Sequence, residues 1–457
     1  MKKLILISIT IFSLLSCNES LNIAPASQLS NDNFYQSEND FIAAINSAYN
    51  TLRSGGLYGD VILFGDIRAD IGRPSVSGSV TTRSDIDEFS VNSTNSEIQG
   101  TWQDGYSGIN QVNNILNLID EADIDADIKS RIKGEAHFIR GLIYFYLVRL
   151  FENIPIVRVP ISPAESTTIP QSNANEVYEL IESDFELAVQ LLPTSYDLEK
   201  GRATSIAANG ILGKVLLTQN KFQEAKEVLM KVVGFEGQFV ELEPNFMDVF
   251  DIGNEYNSEI IFAVRWTNDG QNGNGFNYSF RNINQPSLRI EEAFHNSFEV
   301  NDIRKAATVD STSSLIYLLQ NKYPEANNGQ GESDWPVLRY ADVLLMLAEV
   351  ENELGYQSSG VAFEYLNRIR NRAGLDDLNS NDLPDQNSFR LAVENERLHE
   401  LACEGHRWFD LVRTNRYVEV LTEKGYSVND YQKIFPIPQR EIDNINDESI
   451  LKQNPGY

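Results

Sequence analysis

Apolar residues recur along this chain with the period of a helix wherever they recur at all. Between Glu176 and Pro193 they fall at Val177, Leu180, Ile181, Ala188, Leu191 and Leu192, on one helical face, and Asn173 followed three residues later by Glu176 has the spacing of a capping box. Ser205–Thr218 and Phe222–Val233 read as two further helices around a turn at Gln219-Asn220-Lys221, with Phe222, Ala225, Leu229 and Val232 spaced to face a partner. Small residues at Ala208, Gly210 and Ala225 give this hairpin the look of a tetratricopeptide-like unit. Ile109–Ile119 with Asp127–Phe151, and Val337–Leu354 with Gly360–Ala373, pair in the same way, and Ser388–Arg413 is a last helical region broken only at Gly405. The pattern predicts an all-α fold, a right-handed, tetratricopeptide-like helical repeat stack of about four pairs in which each pair buries its apolar face against its neighbours.

Long irregular segments separate the helices, chiefly Gly65–Gly100, Gly234–Val300 and Asp376–Asn387, and they are rich in Gly, Asn, Ser and Asp. Loops of this length in an ordered protein usually carry function. The β content is minor: a short strand is expected at Glu259–Trp266, and the C-terminal residues around Phe435-Pro436-Ile437-Pro438 read as extended and docked.

The first residues set the compartment. Lys2 and Lys3 precede an almost wholly apolar run from Leu4 to Leu15, which is too short to span a bilayer and has the layout of a secretory signal. The run ends in Leu14-Leu15-Ser16-Cys17, which resembles a bacterial lipobox, so residues 1–16 are expected to be removed and Cys17 to carry acyl chains. Each buried methylene contributes roughly 0.8 kcal/mol, and more than one chain gives stable attachment. The body is then 17–457, with an N-terminal part of about 18–233 and a C-terminal part of about 234–457. Cys403 is the only other cysteine, and it falls in a helical pattern as a small buried residue.

A formal charge of -29 repels nucleic acid and anionic headgroups, so no nucleic-acid partner is expected and the membrane is met only through the N-terminal lipid. Neutral ligands are indifferent to that field. With 66 acids, composition alone leaves a glycosidase-type carboxylate pair open, but the other catalytic patterns are missing. His137, His295, His399 and His406 lack metal-ligand spacing, and neither a Gly-rich phosphate loop nor a nucleophile elbow occurs. Asp123, Asp125 and Asp127 begin like a calcium loop, but Ile128 stands where Gly is needed and Gly134 where the bidentate Glu should be, so these acids read as a helix N-terminus. The expectation is a protein without catalytic residues, metal or cofactor. Alternating charge over Glu396–Arg413 reads as ion pairs between helices, and Trp102, Trp335 and Trp408 as core, the first two at helix starts.

Several blocks in fixed order carry a resemblance. Gly134-Glu135-Ala136-His137-Phe138-Ile139-Arg140-Gly141 runs on through Tyr144-Phe145-Tyr146-Leu147 to Asn153-Ile154-Pro155-Ile156-Val157, and Arg202-Ala203-Thr204 follows. Trp335-Pro336-Val337-Leu338-Arg339-Tyr340-Ala341-Asp342, Leu366-Asn367-Arg368-Ile369-Arg370-Asn371-Arg372-Ala373-Gly374, Glu404-Gly405-His406-Arg407-Trp408-Phe409-Asp410-Leu411 and Gln453-Asn454-Pro455-Gly456-Tyr457 complete the set. Together with the lipobox they make the chain resemble the SusD/RagB family over nearly its whole body, which is shorter than many members. The resemblance implies a SusD-like lipoprotein anchored by lipid in the outer membrane at the cell surface. It would capture oligo- or polysaccharide without turnover and deliver it, as a lid, to a SusC-like TonB-dependent transporter. The alternatives are a RagB-like peptide-uptake lipoprotein and a surface glycoside hydrolase.

Sugar capture needs flat aromatic faces against apolar ring faces, and planar donors and acceptors for hydroxyls. The loop Arg265–Arg289 offers Trp266, Phe276, Asn277, Tyr278, Phe280 and Arg281, and the loop Gly65–Arg83 offers Asp66, Arg68, Asp70 and Arg73. These ten residues are the candidate glycan contacts.

Overall fold

The computed structural model describes residues 35–74, 81–267, 273–275, 280–281, 283, 286, 288–323 and 331–457. Its frame is a continuous helical stack: α1 (Glu38–Thr51), α2 (Ser96–Leu118), α3 (Ala126–Phe151), α4 (Ala174–Leu191), α5 (Ser205–Thr218), α6 (Phe222–Val233), α7 (Tyr340–Leu354), α8 (Val361–Arg372) and α9 (Gln386–Glu400). Each helix packs on the next in the series from α2 to α9, which is the tetratricopeptide-like arrangement. Caps start these helices where the sequence places them. Asn173 and Glu176 form the reciprocal box at α4, and Asp125 accepts from the backbone N–H groups of Asp127 and Ile128 at the start of α3. The acids once comparable to a calcium loop therefore include a helix cap.

Helix α3 lies at the centre of the N-terminal half, buried on nearly every side from Ile132 onward. Two glycines let α2 approach it: a Cβ on Gly105 would meet Leu147 at 2.9 Å, and one on Gly108 would meet Ile143 at 2.7 Å. A polar staple crosses three helices inside this core. Arg140 of α3 donates to Asp184 of α4 at 2.9 and 2.7 Å and to Asn113 of α2 at 2.8 Å.

Among the described residues eight short strands decorate the stack: β1 (Gly72–Arg73), β2 (Ile154–Pro155), β3 (Gln171–Ser172), β4 (Ile260–Val264), β5 (Arg289–Ile290), β6 (Val309–Asp310), β7 (Leu319–Gln320) and β8 (Trp335–Arg339). They pair antiparallel as β1–β5, β2–β3, β4–β8 and β6–β7. Strand β8 corrects the helix expected from Val337. Residues 335–339 pair with β4, and the helix begins only at Tyr340, so Trp335 heads a strand rather than a helix. The break expected at Gly405 is wider, because α9 stops at Glu400 and the chain turns through Cys403 and Gly405 at φ 62° and 78° before α10 (Arg407–Arg413) and α11 (Tyr417–Glu423). A Cβ on Gly65 would run into the backbone of Gly405, so two glycines mark this crossing. The C-terminal region, expected to be extended, contains one helix, α12 (Gln439–Ile445).

Charge alternation on α9 resolves into ion pairs between elements, as the spacing implies. Five cations, Arg304, Lys322, Arg339, Arg370 and Arg372, meet five buried carboxylates, those of Glu259, Asp302, Glu396, Glu400 and Glu404. Arg339 donates to Glu404 at 2.7 and 2.8 Å and to Glu400 at 3.1 Å. The cluster is charge-balanced, the condition under which buried charges are tolerated.

Candidate functional site

The two loops singled out in the sequence come together. Strand β1 belongs to one and β5 to the end of the other, paired as Gly72 with Ile290 and Arg73 with Arg289, and Ile290 also bridges Leu318. Within this junction most of the described candidates hold the loops rather than face outward. Asp66 is fully buried and accepts from the Gly405 N–H at 2.7 Å; burial pushes its carboxyl up to about 7. Arg68 donates to the carbonyls of Ile86 and Gln432 at 3.0 and 2.6 Å, and its guanidinium lies 4.4, 5.0 and 4.2 Å from the rings of Phe89, Trp408 and Phe435. Burial pulls it down to about 10. Asp70 makes a two-pronged pair with Arg407 at 2.8 and 2.9 Å. Of this loop's four candidates only Arg73 reaches the surface, paired with Glu291 at 2.5 Å and with its side chain 34% exposed.

The second loop corrects the expected aromatic platform. Trp266 and Phe280 are buried, at 4% and 1% exposure, so neither presents a ring face to a ligand. Trp266 is drawn inward because it follows β4 directly and its N–H donates to Asp334 at 2.9 Å, beside β8. Arg281 ties the loop to the β6–β7 hairpin through the Gln320 carbonyl at 3.1 Å, Asn321 at 2.8 Å and Asp310 at 3.0 Å. Phe276, Asn277 and Tyr278, like Cys17, lie outside the described residues.

An exposed aromatic sits instead on the chain just before β4. Tyr256 is 48% exposed, with the Arg265 guanidinium 4.0 Å from its ring and the Lys200 ammonium at 5.9 Å. These three residues border a groove between α1, the 194–204 connection and β4, formed by two cavities of about 440 Å³ each that share Lys200, Gly201, Arg202 and Arg265. Phe239 closes one end, 36% exposed.

The walls of this groove are fixed by side-chain bonds, those of Arg202 to Glu135 and of Tyr49 to Ala203 half-buried. Arg202 donates to Glu135 at 3.2 Å, Glu199 at 3.0 Å and Asn46 of α1 at 2.9 Å, and the Tyr49 hydroxyl accepts from the Ala203 N–H at 2.9 Å. Arg265 pairs with Asp334 and, at 3.4 Å, with Glu255. Burial pushes the Asp334 carboxyl up to about 8 in spite of that pairing. Gly201, at φ 94°, lets the connection close on Arg265, since a Cβ there would lie 2.9 Å from Nη1. Lys200 forms no ion pair among the described residues, so its charge is left to the groove. The sequence reading missed Tyr256, although Gly253-Asn254-Glu255-Tyr256-Asn257 shows the same density of Gly and Asn that drew attention to its neighbour.

A flat ring, cations and amides on a preformed wall suit reversible binding of a hydroxyl-rich ligand. Among the described residues no group of three or more His, Cys, Asp or Glu is placed to hold a metal ion, and no helix is long and apolar enough to cross a membrane.

Comparison with known proteins fits this architecture. The SusD family profile matches residues 262–457, and a second profile, described as "Starch-binding associating with outer membrane", matches residues 21–217. SusD-like protein P2 of Formosa agariphila is 28% identical over 511 aligned positions, covering 98% of each chain, and a SusD-like protein of Bacteroides ovatus is 24% identical, covering 91% of this chain and 83% of that one. A solved laminarin-binding SusD-like protein superposes with a TM-score of 0.79 at 27% identity, over 93% of this chain and 100% of its own. A SusD superfamily protein from Bacteroides vulgatus superposes at 0.81 with 24% identity, over 93% of this chain and all of its own. Both halves of the sequence and nearly the whole of the helical frame thus lead to one placement, and the chain belongs to the SusD family.

Proposed function

We propose that this protein captures neutral oligo- or polysaccharide at the cell surface, where Cys17 anchors it by lipid to the outer membrane, and delivers the glycan to a SusC-like TonB-dependent transporter as its lid. The observation that carries this reading is the groove at Tyr256: a half-exposed ring with the Arg265 guanidinium 4.0 Å from its centre, on walls set by Gly201 and Arg202. A ring face covers the apolar side of a sugar, and the flanking amides and cations meet its hydroxyls without bond making or breaking. The laminarin-binding relative makes laminarin the first glycan to test. Arg73, at the surface of the β1–β5 junction, is a further candidate contact for a longer chain.

Calorimetry with laminarin and laminarihexaose tests the reading, with reducing-sugar release measured in parallel. Tyr256→Ala should weaken binding by about fivefold, the equivalent of losing about 1 kcal/mol of stacking, while the melting temperature stays put. Unchanged affinity in the variant would move the sugar away from this groove, and sugar release by the wild type would replace capture with hydrolysis. For the anchor, Cys17→Ala should leave a folded protein that no longer sediments with the membrane fraction.

A further inference from the structure

A second cavity, of about 680 Å³, lies apart from the groove and from the loop junction. It opens between one face of α2, the 155–169 connection and α12, and none of its residues borders the first groove. Its floor is apolar. Trp102 and Tyr106 stand one helical turn apart with ring centroids 5.0 Å from each other, and Val157, Ile161 and Leu451 complete the base. Trp102 is wedged against Phe151 at 5.2 Å, and the Tyr106 hydroxyl is tied to the Pro155 carbonyl at 2.8 Å, so both rings are held before any ligand arrives. The side wall is fixed as well, because Asn110 accepts from the Ile161 N–H at 3.1 Å and Ser162 caps the short helix Pro163–Ser166.

The rim differs from the floor. The side chains of Gln103 and Ser107 on α2 and of Asn444 on α12 make no hydrogen bond to protein among the described residues, and all three residues are exposed at the mouth. Among the described residues no Lys or Arg lines the cavity, and the single charged group that does is Glu441. A small-molecule site of about 300–1,000 Å³ is characteristically apolar with a few convergent polar groups, and this cavity has that make-up.

We propose that this cavity is a second saccharide site, which takes one or two neutral sugar units with their apolar faces on the half-buried Tyr106, backed by the buried Trp102, and their hydroxyls on Gln103, Ser107 and Asn444. An anionic ligand is disfavoured because Glu441 is the only charge present. A purely apolar ligand would use the floor but leave the amide and hydroxyl rim without a role. Two separate sites on one molecule let a polymer long enough to span them bind both, which raises avidity through effective concentration without any new contact. The proposal rests on the glycan-capture reading only for its choice of probes.

Trp102, though only 6% exposed, gives the cavity its own reporter, since it lines the cavity and the other three tryptophans, Trp266, Trp335 and Trp408, do not. The mature chain is titrated with laminarihexaose, cellohexaose, maltohexaose and mannohexaose while tryptophan emission and calorimetric stoichiometry are followed. Expected is an emission change that disappears in Trp102→Phe, with two sugars bound per chain in the wild type and one in Ser107→Phe, which fills the mouth. Gln103→Ala with Asn444→Ala should weaken the same event at least threefold and leave the melting curve native. Stoichiometry and emission unaffected by Ser107→Phe would overturn the proposal while capture at Tyr256 stands. Binding insensitive to Tyr256→Ala but abolished by Ser107→Phe would support the cavity and remove the first site. An emission response to decanol with none to any hexasaccharide would make the cavity an apolar-ligand pocket, and failure of all four sugars would sink both readings.

Discussion

Replacing Glu400 by Gln removes one negative charge from the buried cluster and changes almost nothing in volume. Glu400 meets Arg339 at 3.1 Å and Arg304 at 3.2 Å and pairs closely with Arg372, and its side chain has no exposed surface. The amide keeps one acceptor but leaves five cations facing four carboxylates. Two unit charges 4 Å apart interact by about 4 kcal/mol at an effective dielectric of 20, and breaking one member of a buried pair costs about 3–5 kcal/mol. Glu259, Glu396 and Glu404 still serve the same guanidinium groups, which puts the expected loss near 3 kcal/mol. Urea unfolding followed by circular dichroism measures this loss as a shift of midpoint at constant slope. Glycan affinity of the folded variant should remain that of the wild type. A midpoint within error of the wild type, or lost binding at unchanged stability, would refute the view that this cluster is a tie between helices.

The remaining predictions concern acid, one buried carboxyl and one glycine. Burial would raise the Glu400, Asp342 and Asp410 carboxyls, but their adjoining cations hold all three well below the usual carboxylate range. Their stabilisation is therefore complete above the unfolded carboxylate value of about 4 and is lost as pH falls through the folded values, so melting temperature should drop steeply below about pH 4. Asp66 has the opposite sign: raised to about 7, it favours the folded state while protonated and loses that contribution as pH rises through about 7. Asp66→Asn should accordingly melt at least as high as the wild type at pH 8, and a lower melting point there would contradict the assignment. Gly201→Ala, which introduces a Cβ at φ 94° against Arg265, should weaken laminarin binding severalfold with only a small loss of overall stability, as read by calorimetry and thermal melting.

The helical frame was legible because each helix carries its own evidence. The face of Val177, Leu180 and Ile181, the Asn173 box and the turn at Gln219-Asn220-Lys221 are all local, and the elements appear where these residues place them. The strands and the site were not, since their partners are remote in sequence. Residues 335–339 are apolar enough for either period, and only the pairing with β4 makes them extended. Arg68 has the composition of a ligand donor, but the rings that enclose it come from positions 89, 408 and 435. Trp266 and Tyr256 stand in equally Gly- and Asn-rich surroundings, and which becomes a plug and which a platform is decided by the β4–β8 ladder and Asp334.

The crossing of Gly65 with Gly405 has a consequence for the order in which the molecule assembles. Asp66, Arg68 and Asp70 find their partners at Gly405, Gln432, Phe435 and Arg407, and Asn454 reaches back to the Phe151 carbonyl at 3.0 Å. During synthesis these N-terminal groups therefore wait for more than three hundred residues before their bonds can close, a wait that long-range contacts always impose. The helices from α2 to α6 can form early, but the early loop that leads into β1 is clasped only when the last fifty or so residues arrive. A polypeptide stopped before Gly405 should present Asp66 and Asp70 without these partners, and Arg68 with only Ile86 and Phe89, to quality-control proteases, so that only chains translated to the end survive to display the groove.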